Sequence, residues 1–270
     1  MNADGVNIRM PSTANLLIDS KDSDDPGIGT FIIQKPRALM NGYFTRLAVT
    51  EVALQWAQPN IRTGISDTIT LILTSGPTSI TSTLPQGSYT VADVLNKIVT
   101  DCSGVITGLN VTGVGANCRL AATGAFSVAS STLATSLGIS LPSSTSHSFT
   151  ATNLNTISYL DLTCNDLTYN QQLKDATSNP SVADVVVRWY MTWDTPPPLD
   201  QYGFPIEMGY KPFFCRRSFA FPKQIRWNNN QPIGNLTFRT YVNDSDSVVL
   251  YAPATLAGTS WMLTVLVSEV

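Results

Sequence analysis

Residues 260–269 read SWMLTVLVSE, and their pattern sets the fold class. Trp261, Leu263, Val265 and Val267 recur at every second position, the period of one strand face, while Met262 and Leu266 make the other face apolar as well. A strand apolar on both faces belongs at the centre of a sheet or beneath a neighbouring subunit. Strand signals of the same kind precede it at TFIIQ (30–34), YFTRLAVTEVALQW (43–56), DTITLILT (67–74), ISYLDLTC (157–164), ADVVVRWYMTW (183–193), RSFAFP (217–222), IGNLTFRTYV (233–242) and SVVLYA (247–252). About nine non-repeating strands with short turns predict a mainly β chain, an antiparallel sandwich of the jelly-roll kind.

One block breaks the pattern. In TLPQGSYTVADVLNKIVTDC (83–102), Val91, Val94, Leu95, Ile98 and Val99 follow helical spacing. Thr90 and Asp93 have the spacing of a capping box. Short β segments are expected near 105–111, 117–122 and 126–128, then a second helix in STLATSLGI (131–139) ending at Gly138. The expected organisation is therefore a jelly-roll domain at 30–75 and 142–270, with a small α+β subdomain, 76–141, inserted in a loop. Residues 1–29 hold five acids and the breakers Pro11, Pro26 and Gly27, and read as an extended N-terminal arm. Ile8, Met10, Leu16, Leu17 and Ile18 could dock it on a partner.

Charged residues make up only 13% of the chain, about half the usual share, so its surface suits contact with other protein. The net charge of −3 and pI near 5.0 disfavour a dedicated nucleic-acid binder. No basic stretch followed by an apolar run marks a leader, and no 18-residue apolar stretch marks a membrane span. The expected setting is soluble and cytosolic, with Cys102, Cys118, Cys164 and Cys215 reduced and no CxxC pair to hold a metal.

Catalytic motifs are missing. His147 is the only histidine and lies in LPSSTSHSFTAT, which reads as a solvated polar loop rather than the seat of a nucleophile system. In DSKDSDDPG (19–27) a calcium loop starting at Asp22 would place Pro26 at its fifth position and Ile33 where a bidentate Glu belongs. No cofactor, metal or small-molecule substrate is expected, and no site residues are assigned. Lys211, Arg216, Arg217, Lys223, Arg226 and Arg239 interleave with Phe213, Phe214, Phe219, Phe221 and Trp227. Alternation in RRSFAFPKQIRW puts Phe219 and Phe221 on one face, toward the core, with the cations facing water or a partner. The proline-rich loop at 194–211 reads as a contact segment for a receptor or other proteins.

Two groups of motifs then carry a resemblance. LPQGSYTVADVLNKI, GANCRLAATGAFSV and STLATSLGI form one group; RRSFAFPKQIRW, IGNLTFRTYVNDSDSVVLY and WMLTVLVSE form the other. Together they span most of residues 30–270 and resemble jelly-roll penton and minor capsid proteins of icosahedral eukaryotic double-stranded DNA viruses. The DSDS at 244–247 departs from the glycine-containing turn often found there. The resemblance implies a non-enzymatic virion protein: a homopentameric penton at the five-fold vertices, or a minor capsid protein beneath or between the major capsomers. Its partners would be copies of itself and the major and minor capsid proteins. Two other readings stay open: a carbohydrate-binding attachment module, and a glycosidase using paired carboxylates among Asp161, Asp166, Asp175 and Asp184.

Overall fold

The apolar parity of β3 (Arg46–Trp56) switches midway: Leu47 and Val49 are buried, and then Val52, Leu54 and Trp56. A regular strand cannot do this, because successive side chains alternate faces. The half-step comes from a bulge. β15 (Ser260–Ser268) pairs Thr264 with Glu51 but Val265 with Val49, leaving Thr50 over. The carbonyl of Thr50 accepts the Phe219 N–H at 2.9 Å, and its hydroxyl donates to Thr264 O at 3.2 Å. β15 itself keeps one parity, with Trp261, Leu263, Val265 and Val267 all buried.

The structure is a computed structural model describing residues 13–23, 30–33, 45–76, 78–139, 141–149, 154–155, 157–168, 185–193, 195–222, 224–226, 235–244, 252–253 and 260–268. In the first sheet β1 (Thr13–Asp19), β15, β3 and β11 (Phe213–Ser218) lie in that order, with β12 (Gln224–Arg226) also on β3. The second sheet runs β10 (Val185–Tyr190), β9 (Ile157–Thr163), β13 (Leu236–Asp244) and β14 (Ala252–Pro253), with β2 (Thr30–Ile33) on β13. All these pairings are antiparallel. The chain crosses repeatedly from one sheet to the other, giving the expected antiparallel jelly-roll sandwich. Between the sheets, Leu160, Leu162, Trp189, Leu236 and Phe238 meet the inner faces of β3 and β15, and the Phe238 and Trp261 rings stand 4.9 Å apart. Burying each such side chain stabilises the fold by about 1.5–3 kcal/mol.

A third sheet lies between β3 and β9 in the chain. It runs β5 (Ser79–Thr83), β4 (Thr68–Leu73), β7 (Arg119–Val128) and β6 (Asn110–Thr112), with β8 (Ser144–Ser148) on β7. α1 (Val91–Cys102) packs here, and its expected capping box is present: Asp93 N donates to Thr90 Oγ1 at 3.1 Å and Thr90 N to Asp93 Oδ2 at 2.8 Å. Val91, Val94, Leu95, Ile98 and Cys102 form a second core with Ile69, Leu71, Leu120 and Phe126. α2 (Thr132–Leu137) ends at Gly138, whose φ of 60° closes the helix in the left-handed region.

Several elements differ from expectation. The strand at 68–73, read with the sandwich strands, pairs with β5 and β7 instead. The segments expected at 117–122 and 126–128 are one strand, since β7 runs unbroken from Arg119 to Val128, while 117 and 118 belong to the turn before it. β11 starts at Phe213 rather than Arg217. Phe221, expected in the core, is 96% exposed, because the chain leaves the ladder after the Thr50 bulge takes the Phe219 N–H. Part of the expected arm is a sandwich strand: β1 pairs with β15 from Thr13↔Ser268 to Asp19↔Met262, Ile18 is buried, and Ser20 Oγ accepts the Trp261 N–H at 2.9 Å. The alternation of Leu16 and Ile18 lets it cover what would otherwise be an open edge of β15. Residues 1–12 and 24–29 of that arm lie outside the described residues.

Candidate functional site

The proline-rich segment between β10 and β11 forms a strap joining the two cores. At its tip Asp200 Oδ1 accepts the N–H groups of Tyr202 (2.9 Å) and Phe204 (3.0 Å). Asp200 Oδ2 takes Ala92 N at 3.1 Å in the first turn of α1, where the helix dipole favours negative charge. Tyr202 Oη donates to Asn96 Oδ1 at 2.8 Å, and Phe204 enters the second core edge-on to Phe149. The strap returns past Gly209, whose φ of +90° suits glycine; a Cβ there would stand 3.1 Å from Trp56 Nε1 and 3.3 Å from Asn155 Nδ2. The strap tip thus makes its anchoring contacts with its own chain.

Beneath the strap, at the start of β9, lies a cleft of about 280 Å³ walled by Ile157, Met191, Trp193, Ile206, Glu207 and Met208 among others. Glu207 Oε2 accepts the Asn155 N–H at 2.8 Å, and the Leu154 backbone also hydrogen-bonds the carboxylate. Asn155 in turn donates through Nδ2 to Met208 O at 3.1 Å and accepts Ile157 N at 3.1 Å. Burial dominates these bonds and pushes the Glu207 carboxyl up to about 7. A carboxyl held near neutrality in an apolar cleft is the arrangement general acids use, yet no signal in the sequence singled it out.

Glycoside hydrolysis needs a second carboxylate across the cleft, and none of the residues described as lining it supplies one. Asp161 lies elsewhere, paired with Arg188. Asp166 accepts the Thr237 N–H at 2.8 Å. Asp175 and Asp184 lie outside the described residues. The two described candidates, Asp161 and Asp166, are therefore not brought together around Glu207.

His147 is not in a solvated loop. It lies on β8, fully buried, its ring 4.3 Å from that of Phe126, and its Nε2–H donates to Phe126 O at 2.8 Å. Pairing explains the difference: β8 lies on β7 with His147 opposite Leu120, on the side of Phe149 two residues on, and both Leu120 and Phe149 belong to the second core, while the Ser and Thr residues of β8 are more exposed. None of the four cysteines is in a disulfide, and burial pushes the thiols of Cys102 and Cys164 up to about 11 and about 12, far from thiolate chemistry at neutral pH. Among the described residues no group of three His, Cys, Asp or Glu side chains could hold a metal ion.

The outer faces of the sandwich carry a different chemistry. On the first sheet Leu17 is 72% and Phe214 64% exposed, and Met262 lies between them in the register. The Arg216–Glu51 pair (2.6 Å) lies alongside them. On the second sheet Arg188 lies 3.8 Å over the Tyr159 ring, with exposed Tyr190 beside it. Exposed apolar groups of this size on a sheet face suit contact with another protein surface.

No protein-family model matches the chain, and no curated protein matches it. Solved structures do. The selenomethionine-labelled mavirus penton protein is 12% identical with a TM-score of 0.51, the match covering 97% of this chain and 100% of that one. A chain of the Sputnik virophage, from its 3.5 Å electron cryo-microscopy structure, is 11% identical with a TM-score of 0.50, covering 96% and 98%. At such identities the likeness is one of fold, and it extends over nearly the whole chain: this is a jelly roll similar to that of the mavirus penton protein.

Proposed function

We propose that the chain is a structural protein of an icosahedral virus capsid, and that five copies close a ring as the penton at its five-fold vertices. The observation that carries this reading is the extent of the fold likeness. The match spans 97% of this chain and 100% of the mavirus penton protein, so it runs through the part of the chain that holds the third sheet as well as through the sandwich strands. The role is structural rather than enzymatic, its place is the virion, and its partners are its own copies and the other capsid proteins.

Two physical features fit. Side-by-side copies around a rotation axis bury different faces of each subunit, and here both outer faces present exposed apolar or aromatic groups. A surface with few charges is also less costly to desolvate. The test is the mass of the purified chain by light scattering, followed by localisation in particles. Five times the 29.2 kDa protomer, with density at the vertices, is expected. A monomer found between or beneath the major capsomers would replace the penton reading with the minor capsid one. Glycan-array binding by an isolated monomer absent from particles would favour an attachment module.

A further inference from the structure

Glu207 is not used by a purely structural role, and its surroundings are unusual. Carboxylates in apolar settings are ordinarily paired with a cation. Glu207 has only backbone N–H partners, at Asn155 and Leu154, and no ion pair among the described residues. Among the described residues that line the cleft and the narrow space on its other side, the titratable groups besides Glu207 are Tyr89 and Tyr210, neither of them a cation; Asp93 in the capping box and Asp200, which accepts three N–H groups, add no positive charge. Lys211 sits over the Tyr210 ring, 5.0 Å from its centre, and is exposed.

The rest of the cleft says what could complete this charge. Ile157, Met191, Ile206 and Met208 give it walls that suit an aliphatic chain. Trp193, 43% exposed, is held by its Nε1–H bond to Ile206 O at 2.8 Å and offers a ring face of the kind that attracts cations. The volume is at the small end for ligand pockets and suits one long side chain better than an extended ligand. We propose that the cleft receives a lysine or arginine side chain from a segment of a neighbouring capsid subunit, its stem along the apolar walls and its cationic head on the Glu207 carboxylate. The source of that side chain rests on the capsid reading; the chemistry of the cleft does not.

Cation binding requires the ionised carboxylate, so a carboxyl with its midpoint near 7 must release a proton below that pH to accept the guest. Apparent affinity should then rise up to tenfold per pH unit in the acid range and level off above about 7. The probe is n-butylguanidinium, titrated calorimetrically into the full chain at pH 5.5 and 8, with 1-pentanol as the neutral control. Expected are a tenfold or greater gain in affinity at pH 8, a tenfold or greater loss at pH 8 in Glu207→Gln, and no response of pentanol to either change. Equal binding to Glu207→Gln, or a flat pH series, overturns the proposal. The wild-type pH series and Trp193→Ala, expected to weaken binding several-fold, decide the matter even if Glu207→Gln fails to fold.

Particle assembly tests the source. A Glu207→Gln subunit that enters particles at full occupancy overturns a subunit-derived guest, whereas reduced occupancy supports it. If the wild-type chain enters no particle at all, the capsid reading falls while the probe titration still decides the cleft.

Discussion

Arg188 and Asp161 face each other directly across β10 and β9 and are joined by two parallel bonds, Nε to Oδ1 at 2.6 Å and Nη2 to Oδ2 at 2.7 Å. Asp161 is fully buried, and Arg188 covers it while stacking on Tyr159. The bonds from Asp161 hold the Arg188 guanidinium above its already high range. Removing Arg188 would strand a buried carboxylate, so Arg188→Ala should cost about 3–5 kcal/mol in denaturant unfolding. Arg188→Lys keeps the charge but loses the fork, and should fall between. A loss below about 1 kcal/mol for the alanine variant would mean that Asp161 is reached by water.

The Glu207 carboxyl also sets a pH dependence. Its midpoint in the folded chain is raised from 4.5 to about 7, so the folded state holds the proton more tightly than the unfolded one. Stability from the neutral carboxyl is full below the unfolded value and is lost as pH rises through the folded one. The shift corresponds to about 3 kcal/mol at most. Between pH 4.5 and 8 the wild type should therefore lose up to that amount relative to Glu207→Gln, measured by parallel urea titrations. A constant difference across the range would show that the carboxyl is hydrated.

His147→Ala should destabilise the third-sheet body. The substitution opens a cavity beside Phe126 and leaves the Phe126 carbonyl without its side-chain donor, for an expected cost of about 2–4 kcal/mol. Thermal unfolding measures this directly; a neutral result would put His147 back in solvent.

Ile18 tests whether β1 belongs to the sandwich. If residues 13–19 were a tether ordered only on assembly, Ile18→Ala would leave the free subunit unchanged. With β1 paired along β15 and Ile18 in the core, the substitution should cost about 2–4 kcal/mol. Amide exchange should likewise find the β1 backbone N–H groups protected in the isolated chain.

Excision tests the independence of the sandwich. Deleting residues 76–141 would remove β7 and leave β4 and β8 without their partner, so loss of cooperative unfolding is expected. Deleting 58–153 instead, with a short Gly/Ser joint and Phe204→Ser at the bared strap tip, should keep a cooperative β transition by circular dichroism.

What the sequence by itself determined was local. The helix at 91–102 and its Thr90–Asp93 cap, the stop at Gly138, and the inward face of 260–268 follow from periods and caps within a few residues of one another. Those signals suffice because hydrogen bonds inside a helix and alternation along a strand are set by neighbouring residues. Even the bulge is written there, as the change of parity between Val49 and Val52. Only the tertiary structure decided which sheet each strand joined. β4 resembles a sandwich strand in its alternation, and nothing within it names β7 as its partner. β8 looks like a polar loop until β7 beside it turns His147 inward. Asp161 meets Arg188, and Glu207 meets Asn155, across separations of 27 and 52 residues. The burial that gives those carboxylates their properties belongs to the packed chain, because desolvation depends on everything that surrounds a group and not on the residues beside it in sequence.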